Sequence, residues 1–167
     1  MRQGTSVACI ANSVSAVATA HANTYTTREA RRAALANSYP WGSVTAGGKG
    51  QELAEMAQMA RGGAVAYSDD GRAVPTAGLL RRALSYAKML DKPLLEHCED
   101  ESLLGKGVMD EGYMSTALGL TGIPDACEEI IVARDAAMAR PTGGRVHPQP
   151  APTAHPGAIL RRPTPYR

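Results

Sequence analysis

Ala64-Val65-Ala66-Tyr67-Ser68-Asp69-Asp70-Gly71-Arg72 and, one helix length later, Pro93-Leu94-Leu95-Glu96-His97-Cys98-Glu99-Asp100 decide the fold of this chain. Each begins as a short apolar run and ends in a polar cluster. Between them, Gly78 to Leu90 carries Leu79, Leu80, Leu84, Ala87 and Leu90 at three- and four-residue steps. That spacing predicts an amphipathic helix joining two buried strands. Strand, helix and strand of this kind pair in parallel, and such folds present their reactive side chains at the C-terminal strand ends. A carboxylate cluster and a histidine then share one rim.

The alternation continues on both sides. Thr5 to Ile10 is β-branched and apolar and closes on Ala11-Asn12-Ser13, which predicts a first buried strand. We expect a short helix from Thr27 to Leu35, a second strand over Trp41 to Ala46, and a helix over Gln51 to Arg61, where Leu53, Met56 and Met59 recur at helical spacing. Ala64 to Tyr67 reads as the third strand and Pro93 to Glu96 as the start of the fourth. Ser102 to Thr121 reads as a long loop, Pro124 to Arg140 as a helix opened by its proline, and Gly143 to His147 as the opening of a fifth strand.

From Pro148 to Arg167 the chain turns proline- and arginine-rich and holds no acidic residue, which predicts a disordered tail. A chain of 167 residues falls well short of the ~250 of a closed eight-unit barrel. The expected fold is therefore α/β: a partial TIM-like (βα) barrel of about five parallel strands and four helices over 1–147, with a disordered Pro/Arg-rich tail over 148–167.

Composition narrows the function. Hydrophobic residues make up 44% of the chain, yet aromatics are 4%, phenylalanine is absent and alanine is abundant, so the core is expected to be thin. The 18 basic and 16 acidic residues are interspersed and leave a net charge of +2. No basic stripe suits a phosphate backbone or an anionic membrane, so nucleic acid is not an expected partner. Three cysteines without a Cys-x-x-Cys pair indicate neither a disulfide framework nor a zinc knuckle. No run of ~18 apolar residues is present to span a bilayer, and the start lacks the apolar stretch of a secretory signal. We expect a soluble, cytoplasmic protein.

Gly47-Gly48-Lys49-Gly50 invites a phosphate-loop reading, but that motif needs a glycine where Ser43 stands and a Ser or Thr where Gly50 stands. It reads as a strand-to-helix loop. Asp69-Asp70-Gly71 taken alone is a turn sequence, and Glu99-Asp100 alone favours a helix start. Together, however, a carboxylate and a histidine at adjacent strand ends are donors suited to Zn²⁺.

Several ordered motifs carry a family resemblance. Gly63 to Arg72, Leu80-Arg81-Arg82-Ala83-Leu84 with Tyr86-Ala87-Lys88, Glu96 to Asp100, Gly107-Val108-Met109-Asp110-Glu111-Gly112, Leu118 to Pro124, and Glu129 with Val132-Ala133-Arg134-Asp135 together resemble the central part of bacterial dihydroorotases. The resemblance implies an amidohydrolase-superfamily barrel that interconverts dihydroorotate and carbamoyl aspartate in pyrimidine synthesis with Zn²⁺. It implies that Asp70 and His97 are zinc ligands, and that Asn12, in Ile10-Ala11-Asn12-Ser13, contacts the substrate carboxylate. The family's His-x-His ligand pair and its general-base aspartate have no counterpart here. Pro150 stands where a further ligand histidine belongs, and His155 does not replace it. We therefore expect no complete catalytic set, and a truncated chain inactive alone. The alternative is a non-catalytic structural partner, as a homo-oligomer or with aspartate transcarbamoylase.

Overall fold

The computed structural model describes residues 7–10, 20–33 and 37–149. In chain order these form β1 (Val7–Ile10), α1 (Ala20–Ala33), β2 (Asn37–Gly42), α2 (Met56–Arg61), β3 (Ala66–Tyr67), α3 (Ala77–Met89), β4 (Leu94–His97), α4 (Glu101–Leu104), β5 (Met109–Asp110), α5 (Tyr113–Leu118), β6 (Gly122–Ile123), α6 (Ala126–Thr142) and β7 (Val146–Gln149). Five strands make one sheet in the order β1-β2-β3-β4-β7, every pair parallel. Successive strands lie side by side with helices in their crossovers, as βα units do. The architecture is a partial TIM-like α/β fold. β5 and β6 pair separately as a two-stranded parallel excursion.

The helix between the two decisive stretches forms as its periodicity requires. α3 buries Leu79, Leu80, Ala83, Leu84 and Ala87. It starts at Thr76, whose hydroxyl accepts the Leu79 amide at 3.2 Å and satisfies one of the first-turn donors. Its C-terminal end is tied to α6 by Lys88 Nζ, which donates to the Thr142 carbonyl at 3.1 Å.

The second strand lies earlier than its sequence indicates, at Asn37–Gly42 rather than 41–46. The amides of Val44 and Thr45, which a strand would spend on a ladder, go to the Asp69 carboxylate instead. Pro40 sits inside β2, where its carbonyl accepts the Val65 amide at 3.0 Å. The helix expected over 51–61 begins only at Met56, because the preceding segment folds back: Ala46 N donates to Glu52 O, and Ala54 N to Val44 O. α1 begins at Ala20, ahead of Thr27.

Two further expectations change. The segment 102–121 is not one loop but holds α4, β5 and α5, each too short to show a period. β7 also takes in Pro148 and Gln149, which the sequence places in the tail. Pro148 needs no N–H on the β4 side, since Leu94 and Cys98 donate to the carbonyls of Arg145 and Gln149 that flank it. Residues 150–167 lie outside the described residues.

Two methionines and a tyrosine compensate for the missing phenylalanines. Met56, Met59 and Tyr67 are fully buried with Val44, Val74, Leu80, Leu84 and Leu94, and Tyr67 Oη donates to the Met56 carbonyl at 2.7 Å. A Cβ at Gly42 would meet Met59 Sδ at 2.9 Å and Tyr67 Cδ1 at 3.1 Å. The glycine in β2 is thus the space into which these large side chains pack.

Candidate functional site

β3 and β4 end side by side. Tyr67 is the register partner of Leu94, so Asp70 and His97 each stand three residues beyond one register point, at the C-terminal ends of adjacent parallel strands. The rim drawn from the sequence is present, and its groups play unequal parts.

Asp69 is a structural clamp. Its Oδ1 accepts the amides of Val44 and Thr45, both at 2.9 Å, and its Oδ2 accepts the Thr45 hydroxyl at 2.6 Å. Thr45 Oγ1 in turn accepts the Gly50 amide at 3.0 Å, which fixes the Gly47–Gly50 loop. Burial raises the Asp69 carboxyl above its usual range, and the Thr45 and Val44 hydrogen bonds oppose that rise.

Asp70 is exposed and has a φ of 41°, followed by Gly71 at 74°. Two successive left-handed residues make a tight turn that aspartate tolerates and glycine favours. The Asp70 amide donates to Ser68 Oγ at 3.1 Å, which leaves its carboxylate at the surface. His97 is half-buried, with Nε2 3.0 Å from Glu99 Oε2. Asp100 caps α4, its Oδ1 accepting the Ser102 amide at 2.9 Å. That bond and the Ser102 hydroxyl hold its carboxyl below the usual range. Asn12 lies outside the described residues.

Beneath the rim is a buried charged network. Glu96 Oε1 accepts the Val74 amide at 2.6 Å and Arg134 Nη2 at 3.2 Å. Arg134 also donates from Nη1 to the Val74 carbonyl at 2.6 Å and from Nε to Asp135 Oδ1 at 2.8 Å. Burial pushes the Glu96 carboxyl up to about 8, with the Asp135 charge adding and the Val74 amide and Arg134 opposing. Burial also pushes Asp135 up to about 6, against the pull of Arg134. The Cys98 thiol, buried and 3.9 Å from Asp135 Oδ2, is pushed up to about 12, which makes it an inert thiol rather than a nucleophile.

The network went unassigned in the sequence, although α6 held a signal for it. Cys127, Glu128, Ile131, Val132 and Asp135 are its buried residues, so Asp135 extends an apolar stripe at helical spacing. A charge in that position marks a buried partner.

A cleft of about 250 Å³ opens beside the rim, lined among others by Lys49, Asp69, Arg72, Glu99, Asp100 and Arg134. Asp70 and His97 are not among its lining residues. Catalytic zinc takes three protein ligands and an open position. Among the described residues no group of three or more His, Cys, Asp or Glu is gathered to hold a metal ion. With two donors at most from Asp70 and His97, the described residues do not fit a complete zinc centre.

Residues 2–148 match the family model for dihydro-orotase-like proteins. The chain belongs to the dihydroorotase-like family. It is 54% identical over 125 residues to a dihydroorotase of Pelotomaculum thermopropionicum, covering 75% of this chain and 29% of that protein. With a dihydroorotase of Pelobacter propionicus the identity is 46% over 143 residues, covering 86% and 34%. With one of Citrifermentans bemidjiense it is 44% over 157 residues, covering 94% and 37%. This dihydroorotase-like chain thus spans 29% to 37% of the length of these curated relatives.

Proposed function

We propose that the chain carries part of the apparatus of a dihydroorotase-type zinc cyclic amidohydrolase, which interconverts dihydroorotate and carbamoyl aspartate in pyrimidine synthesis. Asp70 and His97 are two of the zinc ligands and Asn12 contacts the substrate carboxylate. The observation that carries this reading is the shared register of Asp70 and His97 at the ends of β3 and β4. No catalytic step is assigned to a zinc ion held by the described residues alone, and the chain by itself is inactive. Cys98 and Cys127 are buried free thiols, which suits a reducing cytoplasm. Among the described residues no helix is long and apolar enough to cross a membrane.

The test combines titration of the purified chain with Zn²⁺ alone and an assay of dihydroorotate hydrolysis. Weak zinc binding that disappears in both Asp70→Ala and His97→Ala, with no turnover, is the expected result. Zinc binding untouched by either substitution removes both residues from the ligand set. Turnover abolished by them overturns the inactivity of the chain and places a completed site across subunits.

A second reading is a non-catalytic chain that acts as a structural partner, in a homo-oligomer or with aspartate transcarbamoylase. The exposed Val108, Tyr113, Met114, Leu118 and Leu120 around α5 favour it.

A further inference from the structure

We propose that Arg134 is a positioning residue that fastens the turn bearing Asp70 to the strand bearing His97. The inference rests on the proposed assignment of Asp70 and His97 to one site, and deepens it by naming what sets their separation.

The turn from Ser68 to Val74 leaves β3, with the Asp70 amide donating to Ser68 Oγ inside it and Arg72 paired with Glu101 at the surface. Its two ends are held differently. At the first, Asp69 grips Val44 and Thr45 beyond β2. At the second, the peptide groups on either side of Val74 are bracketed: its amide donates to Glu96 Oε1 and its carbonyl accepts from Arg134 Nη1, both at 2.6 Å. Glu96 is the residue before His97 on β4, so the bracket ties the turn directly to that strand.

Arg134 closes the arrangement from α6. One guanidinium reaches the Val74 carbonyl, the Glu96 carboxylate and the Asp135 carboxylate through three different nitrogens. That is the geometry a planar five-donor fork provides and a single ammonium does not. The Arg134 side chain is only 16% exposed, and Glu96 and Asp135 are buried. Its bonds are therefore poorly replaced by water. Between the two anchors lie Asp70 to Ala73, and the left-handed pair Asp70-Gly71 sets the direction of the turn. With both ends fixed, the range that Asp70 can take relative to His97 is limited to what the short turn between the anchors allows.

Amide hydrogen exchange followed by NMR on the full chain tests this. Lysine at position 134 keeps a cation beside Glu96 and Asp135 but loses the bond to Val74. In Arg134→Lys the Val74 amide, bonded to Glu96 Oε1 in the unsubstituted chain, is expected to exchange at least ~tenfold faster while the amides of α3 keep their rates. The Asp70 and His97 resonances shift together at a melting temperature near that of the unsubstituted chain. Acceleration spread evenly over α3 and Val74 marks a general stabilising role and overturns the proposal, as does an unchanged Val74 rate.

The unsubstituted chain supplies a second readout that needs no variant. Val74 is expected to be protected like β4 and α6, with Arg72 and Ala73 exchanging at open-loop rates, and a Val74 amide exchanging as fast as those two refutes the bracket. Neither readout involves zinc or turnover, so each stands or falls apart from the ligand assignment.

Discussion

Thr45 is held twice by Asp69, its amide on Oδ1 at 2.9 Å and its hydroxyl on Oδ2 at 2.6 Å. One carboxylate therefore joins the end of β3 to the loop that follows β2. Val44 and Thr45 are both fully buried, so the donors it satisfies have no route to water.

Asp69→Ala is expected to lower stability by roughly 2–4 kcal/mol, since it strands two buried amides and a hydroxyl at ~1–3 kcal/mol for each unsatisfied group, with partial relaxation. Asp69→Asn retains one acceptor oxygen and is expected to fall between the two. Urea denaturation of the three proteins checks the order. An alanine variant as stable as the parent would mean that the clamp contributes nothing.

The Glu96–Arg134–Asp135 network gives stability a definite pH dependence. Burial raises both carboxyls in the fold, Glu96 to about 8 and Asp135 to about 6. A raised acid is more protonated in the folded chain than in the unfolded one. Its contribution is complete below the ordinary carboxylate range and declines as pH rises through the folded value. Over pH 4.5 to 8 the parent is therefore expected to lose stability relative to Glu96→Gln, which has no proton to release. Denaturation midpoints at pH 5 and pH 8 measure the gap, and a gap that stays constant contradicts the assignment.

Gly42→Ala tests the packing of the thin core. The new Cβ would fall 2.9 Å from Met59 Sδ and 3.1 Å from Tyr67 Cδ1. Both side chains are fully buried, so overpacking is expected to cost about 1–3 kcal/mol. Thermal melting of the two proteins decides it, and an unchanged midpoint would show that Met59 moves aside freely.

The same glycine illustrates what the sequence conveyed. From composition alone Gly42 weakens a strand, whereas in the fold it makes room for Met59 and Tyr67. α3 and β4 were legible because Leu79, Leu80, Leu84 and Ala87 repeat at helical spacing and Pro93 ends the run. The position of β2 was not, because what stops it is a distant carboxylate, Asp69, and no local propensity reports a bond across 24 residues. The excursion from α4 to β6 was hidden for a different reason: two-residue strands carry no period. At the site, Asp70 and His97 were placed at strand ends by the apolar runs before them, while the bracket on Val74 depends on three elements meeting.

Sheet edges yield the last prediction. Among the described strands β1 pairs only with β2 and β7 only with β4, so both outer strands keep one side without a strand partner in the described sheet. Parallel strands are ordinarily covered on both faces and flanked on both sides, and an open edge presents amides and carbonyls that recruit another strand. The exposed Val108, Tyr113, Leu118 and Leu120 add apolar surface of the kind that promotes association. The purified chain is therefore expected to self-associate in proportion to concentration and to unfold over a broad range. Sedimentation velocity over a concentration series, with denaturation beside it, is the measurement. A concentration-independent monomer with one cooperative transition would mean that the partial barrel closes its own core and needs no partner.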